Sequence, residues 1–256
     1  VLNHITGLGP SFFSNRKKFN ILNKILKPFY KYAFNNKNSI NIFHNKEDRN
    51  TFIKRKITSK EKTKIIKGSG VDTNYFKQPR LKKRFNKNIQ VFFPARILKE
   101  KGIIELISAC NELWESNYQF TLTVAGHIDR QNKSCLSDHY LKIFNNKNIN
   151  FLGKSDDMLE IYKKIDIVVL PSWREGLSKS LLEASSMSLP IITTDVAGCH
   201  DVIRQRYSGL LVPPKNKESL KNAIKYLLEN QDLSLNYGRK ARDNVVKKFT
   251  TKIINN

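Results

Sequence analysis

Ile167-Val-Val-Leu-Pro-Ser-Trp-Arg-Glu-Gly-Leu-Ser-Lys-Ser-Leu-Leu-Glu-Ala184 is the stretch whose reading decides the fold. It opens with a short apolar run rich in β-branched residues, which reads as a buried strand over Ile167–Leu170. Leu181, Leu182, Ala184 and Met187 then recur at helical spacing, which predicts a helix over Ser178–Met187. Glu175 therefore falls at the carboxyl end of a strand, and Glu183 lies about two turns into the helix that follows. Two carboxylates so placed can accept hydrogen bonds from two hydroxyl-rich parts of one ligand, which points to a sugar nucleotide.

Working outward from this unit, the same alternation repeats. Strands are expected at Ile89–Phe93, Phe120–Ala125, Ile149–Leu152, Pro190–Thr194 and Leu210–Val212. Helices are expected at Gly102–Trp114, near 136–145, at Asp156–Ile165 and at Glu218–Leu228. Strands alternating with helices on short connections imply an α/β fold with a parallel, doubly wound sheet. The first third reads differently. Phe19, Leu22, Leu26, Phe29 and Tyr30 stand at helical spacing among lysines, in a helix expected to kink or break at Pro28. Both core packing and contact with a membrane surface fit such a helix. Two strands follow, Ser39–His44 and Lys64–Lys67, and residues 77–88 read as a polar linker. The expected organisation is a partial N-terminal unit over 1–87, a complete sheet domain over 88–240, and the start of a cross-back segment over 241–256. Because the chain opens at Val1 within apparent structure, it reads as a fragment with an upstream part missing.

The 256 residues carry a formal charge of +24, unevenly spread. Residues 1–87 hold 22 Lys+Arg against 4 Asp+Glu, whereas residues 88–256 hold 24 against 18. A compositional bias toward Lys, Asn, Ile and Phe would affect both parts alike, so the basic excess belongs to the first third. Such a surface attracts phosphate-rich partners, either anionic lipid or nucleic acid. No run approaches the roughly 18–20 apolar residues of a membrane span. No signal peptide is visible. Cys110, Cys135 and Cys199 lack metal-ligand spacing and read as reduced thiols of a cytosolic protein.

Ligands of open parallel sheets bind outside the carboxyl ends of the strands. That rule selects Arg96 and Lys101 after the first strand of the larger domain, and Gly126 and His127 after the second. Gly153 and Lys154 follow the third, Arg174, Glu175 and Gly176 the fourth, and Asp195 and Gly198 the fifth. An Arg fork and a Lys point charge can hold a diphosphate. The helix beginning near Ser178 offers free backbone N–H groups and a positive dipole end to the same anion. Gly176 would let the backbone approach the ligand. Each basic residue taken singly also fits a solvated surface; their convergence carries the assignment.

Val91 to Val212 resembles the donor-binding half of a family 4 glycosyltransferase of the GT-B fold. The matching pieces are Ala95-Arg-Ile-Leu-Lys-Glu-Lys-Gly102, Leu122-Thr-Val-Ala-Gly126, Phe151-Leu-Gly153 and Val169-Leu-Pro-Ser172. The Glu-x7-Glu element is Glu175 to Glu183, and Thr194-Asp-Val-Ala-Gly-Cys199 and Gly209-Leu-Leu-Val-Pro-Pro214 complete the series. Ile5-Thr-Gly-Leu-Gly9 and Gly68-Ser-Gly-Val-Asp72 look like the late part of the family's acceptor domain. The resemblance implies a retaining transfer of a hexose from a nucleotide sugar, UDP-linked by expectation, with no obligatory metal or other cofactor. Arg96 and Lys101 would neutralise the diphosphate, and Glu175, with the amides of Gly176 and Leu177 after it, would hold the transferred sugar. Glu183 would hold the ribose, Gly153 and Lys154 would flank the base, and Gly126 would line the site. Ser178 and Lys179 depart from the usual residues there; Lys179 would add a phosphate contact or serve as a surface lysine.

The subgroup implied builds bacterial surface polysaccharides such as O-antigen, lipopolysaccharide and capsule. The acceptor would be a polyprenyl-diphosphate-linked sugar or a glycan. The enzyme would sit peripherally on the inner face of the cytoplasmic membrane, attracted to its anionic surface. The early glycine-rich loop and acceptor-side histidine of the family do not occur in this chain, so the fragment itself would transfer poorly. A sugar-nucleotide epimerase of the same fold is a second reading. A basic nucleic-acid-binding or membrane-binding module is a third, though no nucleic-acid-binding motif is visible and nucleic acid is not the expected partner.

Overall fold

The computed structural model describes residues 1–8, 17–78 and 85–255, with the side chains of 17–24 left aside. Strands β1 (Leu2–Ile5), β2 (Ile40–Phe43) and β3 (Thr63–Ile65) form a parallel three-stranded sheet in that order. Helix α1 (Lys17–Asn35) and helix α2 (Lys46–Lys54) lie in the connections between them. Of the expected kink or break at Pro28, the break does not occur: α1 runs as one helix through this exposed position. Its inner face, Tyr30 and Phe34, is anchored on a small core of Leu8, Phe43, Phe52 and Ile57. Part of the expected linker, residues 79–84, lies outside the described residues.

The larger sheet contains β4 (Gln90–Pro94), β5 (Thr121–Ala125), β6 (Ile149–Gly153), β7 (Ile167–Leu170), β8 (Ile191–Thr194) and β9 (Leu210–Val212). All neighbours are parallel, and the order is β6-β5-β4-β7-β8-β9. Helices α3 (Ile103–Glu115), α4 (Asp138–Leu141), α5 (Met158–Lys164), α6 (Lys179–Ser186) and α7 (Lys217–Glu229) occupy the connections. Val91, Phe92 and Phe93 of β4 and Ile167, Val168 and Val169 of β7 are fully buried. Strands covered on both faces lose the polar–apolar alternation of a half-exposed sheet, which is why they read as continuous apolar runs. The α/β fold with a doubly wound sheet is thus as expected. The strand order reverses direction between β4 and β7, and such a switch point opens a crevice at the carboxyl edge.

Two helices were not legible in the sequence. One is α2, which the Asn45 side chain caps by accepting a hydrogen bond from the Asp48 amide. The other is α8 (Gln231–Lys248), followed by α9 (Thr251–Asn255). The expected boundary at residue 240 falls inside α8. This helix packs on α6, and a Cβ at Gly238 would overlap the Ser188 carbonyl. After α8 the chain returns to Val71, whose amide donates to Phe249 O at 2.9 Å and whose carbonyl accepts from Thr251 N at 3.1 Å.

Gly238 provides a test of this packing. In an unconstrained helix Gly→Ala stabilises by about 1 kcal/mol. Here Gly238→Ala is expected to lower stability instead, by about 1–3 kcal/mol, because the methyl group must displace backbone. Urea unfolding of the two proteins reads the sign directly.

Candidate donor site at the carboxyl edge

The site grows out of the β4–β7 switch point. After β4 the chain turns through Lys99–Lys101 into Gly102, which adopts a left-handed conformation at φ 75°. A side chain there would overlap the Pro171 carbonyl, so glycine is required twice over: for the backbone angle and for contact with the loop after β7. The Trp173 amide donates to Glu100 O at 2.8 Å, and the Trp173 indole donates to Glu105 Oε1 at 3.0 Å. These contacts bring Lys101 onto Glu175. Lys101 Nζ lies 2.7 Å from Glu175 Oε1, and Ser172 Oγ donates to the same oxygen at 2.7 Å. The two charged side chains keep only 19% and 11% of their exposure. Beneath them the Cys199 thiol is pushed up to about 12, by burial first and by the Glu175 charge second.

A second cluster lies at the same edge. Arg96, Gly126, His127, Lys154, Lys179 and Glu183 are among the residues that line a groove of about 270 Å³. Arg96 Nη1 donates to Asp129 Oδ2 at 3.1 Å, which fixes the guanidinium while leaving it half exposed. Glu183 is 6% exposed. Lys179 Nζ stands 3.8 Å from its Oε1, and Tyr162 Oη is 3.2 Å from its Oε2. Burial raises the Glu183 carboxyl above the usual carboxylate range, and the Lys179 charge and the Tyr162 hydroxyl hold it down in part. Ser178 caps α6 by accepting from the Leu181 amide, so its hydroxyl serves the helix whose positive end faces the groove.

The expected site residues thus fall into two adjacent groups. Arg96, Gly126, Lys154, Lys179 and Glu183 share the groove; Lys101 and Glu175 form the neighbouring ion pair. Gly153, in a left-handed conformation at the end of β6, has open space where a side chain would lie. Gly126 meets another demand: a Cβ would overlap the Ala95 carbonyl, so it lets the loops after β4 and β5 pack together. At Gly176, expected to let a ligand approach, a Cβ would overlap the Thr6 carbonyl after β1, so this position is packed against the small sheet. Leu177 packs beneath Gly68 and against the main core.

The small sheet therefore abuts the site. Asn45 Nδ2 donates to Gly176 O at 2.9 Å, and Arg174 lies 3.8 Å from Asp48. His200 stands between Asp195 Oδ1 at 2.8 Å and Glu47 Oε1 at 3.3 Å. Sequence reasoning did not single out Ser172, Asp129, Tyr162 or Asn45. Ser172 lay inside a recognised motif, and Asn45, three residues before Asp48 at a helix start, carries a local capping signal; Asp129 and Tyr162 carry none, because their partners lie 33 and 21 residues away.

Comparison with known proteins agrees with this architecture. The family model described as "Glycosyl transferases group 1" matches residues 75–244. Over 253 residues the chain is 29% identical to the N,N'-diacetylbacillosaminyl-diphospho-undecaprenol alpha-1,3-N-acetylgalactosaminyltransferase of Campylobacter jejuni, covering 95% of this chain and 65% of that protein. It is 30% identical over 172 residues to the capsular polysaccharide biosynthesis glycosyltransferase CapM of Staphylococcus aureus, covering 67% of this chain and 45% of that protein. Less than two thirds of either relative is spanned. In fold, the chain is similar to Anabaena HepE solved in complex with UDP-glucose, with a TM-score of 0.79, 19% identity, and coverage of 99% of this chain and 69% of that one.

The Glu183 environment has a measurable signature. A carboxyl whose pKa is higher folded than unfolded binds its proton more readily in the folded state. Its contribution therefore favours folding at low pH and declines as pH rises from the unfolded value through the raised one. The stability of Glu183→Gln relative to the parent is expected to improve across that window and to level off above it. Urea unfolding at a series of pH values, in parallel for both proteins, checks the trend.

Proposed function

The chain belongs to the group 1 glycosyl transferases, and from that premise we propose that its carboxyl-edge groove binds a nucleotide-activated hexose, UDP-linked. The whole protein then transfers the hexose, with retention of anomeric configuration, to a polyprenyl-diphosphate-linked sugar or a glycan during bacterial surface-polysaccharide synthesis. The observation that carries this reading is the pairing of a cationic groove with two carboxylates, Glu175 and Glu183, at one switch point. The activities for which the Campylobacter and Staphylococcus relatives are named, and the UDP-glucose held by HepE, support it.

On this reading the bond between the anomeric carbon and the diphosphate oxygen breaks, and the diphosphate leaves with the electron pair. The acceptor hydroxyl oxygen bonds to the same carbon from the same face and passes its proton to the departing diphosphate oxygen. Catalysis is mainly electrostatic: charges already in place where negative charge grows lower the barrier without reorganisation. Arg96, held by Asp129, and Lys101, drawn from its pair with Glu175, neutralise the leaving group. Glu175 receives hydroxyls of the transferred sugar as Lys101 turns to phosphate. Glu183 receives the ribose hydroxyls, Lys179 adds charge near the phosphates, and Lys154 with Gly153 borders the base. No metal is assigned a role.

We further propose peripheral attachment to an anionic membrane at the inner face of the cytoplasmic membrane. No helix among the described residues is long and apolar enough to cross a membrane. The support is the surface of α1: Ile25, Phe29 and Tyr32 are exposed at 59%, 70% and 82%, with Lys27 and Lys31 exposed among them. Apolar side chains interleaved with lysines suit an interface of acyl chains and anionic headgroups.

Calorimetric titration of UDP tests the donor site. Arg96→Ala combined with Lys101→Ala is expected to weaken binding by about 10-fold or more, the scale of lost charge-assisted hydrogen bonds. Equal affinity would remove both residues from the phosphate site. For the membrane, co-sedimentation at low salt should favour vesicles containing phosphatidylglycerol over neutral ones, with the difference shrinking as salt is added. Equal recovery on both would defeat the attachment.

A further inference from the structure

Tyr162 is one of the largest fully buried side chains of the molecule, yet it carries a hydroxyl. It lies on α5, between two other rings: Phe92 of β4 at 5.5 Å and Phe76 at 6.1 Å between centroids, both edge-on. A phenylalanine would fill this apolar place without bringing a polar group into it. The hydroxyl has two acceptors within reach, Glu183 Oε2 and Ser180 O, each at 3.2 Å. It has one proton, and an ionised carboxylate is the stronger acceptor of the two.

We infer that Tyr162 is a positioning residue for the donor, fixing the Glu183 carboxylate from behind so that its remaining acceptor sites face the groove. This rests on the reading of Glu183 as the ribose-holding group. Glu183 is otherwise restrained by Lys179, whose side chain is 71% exposed and which stands a long 3.8 Å away. An exposed lysine at that distance on the same helix sets a charge but not an orientation. Tyr162 sets an orientation, because its ring is locked by α5, β4 and Phe76 and has little rotamer freedom to lose. The tyrosine donates to Glu183 only from one side, so the carboxylate keeps acceptor capacity for two hydroxyls of the ligand.

The arrangement also sets a protonation state. Glu183 faces Lys179 on its own helix, Tyr162 on α5, and across the groove Arg96 after β4, His127 after β5 and Lys154 after β6. Losing the Tyr162 hydroxyl removes a donor to the ionised form and leaves the burial that opposes it. UDP binding should then fall off at a higher pH than in the parent.

The test is a double-mutant cycle on UDP affinity, measured by calorimetry from pH 5 to pH 8, with thermal unfolding to establish that each variant is folded. Tyr162→Phe is expected to weaken UDP binding about 3- to 10-fold near neutral pH and to move its acid-side loss upward. Glu183→Gln is expected to weaken it further and to flatten the acid-side loss. The double variant should bind no worse than Glu183→Gln, because the hydroxyl acts only through the carboxylate. Phe76→Leu, which loosens the ring's packing and leaves the hydroxyl in place, should weaken binding less than Tyr162→Phe does and should leave the acid-side loss where the parent has it. If Glu183→Gln weakens binding but Tyr162→Phe does not, or if the two losses simply add, or if Phe76→Leu reproduces the effect of Tyr162→Phe, the positioning role is overturned and the donor site stands. If Glu183→Gln binds UDP as the parent does, the donor assignment of Glu183 falls, and the role of Tyr162 falls with it.

Discussion

The ion pair between Lys101 and Glu175 ties the loop after β4 to the loop after β7, across the point where the sheet reverses its strand order. Much of the carboxyl edge depends on it. The backbone makes the approach possible, through Gly102 lying against Pro171 and the Trp173 amide bonded to Glu100 O. The charges then make it specific, since a half-buried lysine without its partner would carry an uncompensated desolvation cost. Such a pair is a poor source of stability but a good store of alternatives.

The second cluster solves a different problem. Glu183 is taken out of water by its helix and by the packing around it, which on its own would favour the neutral acid. Tyr162 from behind and Lys179 from the side return part of that cost. One carboxylate is held by a full opposite charge and a serine hydroxyl, the other by a buried phenol and a distant lysine. Two chemically identical side chains, one in the loop after β7 and one on α6, thus have different partners.

The small sheet is joined to this edge mainly through polar groups. Thr6 reaches Gly176, Asn45 bonds the Gly176 carbonyl, Asp48 faces Arg174, and Glu47 and Asp195 share His200. Burial pushes the Asp48 carboxyl upward, while Asn45 and Arg174 oppose the shift. A seam of this kind resembles the polar contacts between domains more than a continuous core. It also gives a steric reason for glycine at position 176, where a Cβ would overlap the Thr6 carbonyl.

The sequence by itself determined the alternation of strands and helices, the doubly wound class, and the placement of Arg96, Lys101, Glu175 and Lys154 near strand ends. These depend on hydrophobic period and breaker residues, which act over a few positions. Tertiary structure decided what local pattern does not encode. It revealed α2 and α8, whose polar composition weakens the helical period, and it set the place of α8 by Gly238 against Ser188. It divided the expected site into a groove and an ion pair, gave Gly176 to the small sheet, and set Tyr162 behind Glu183. The physical reason is one of range. Backbone preference and amphipathic period are properties of neighbours in the chain, whereas the partner of a charge or a buried hydroxyl is fixed only when distant segments pack.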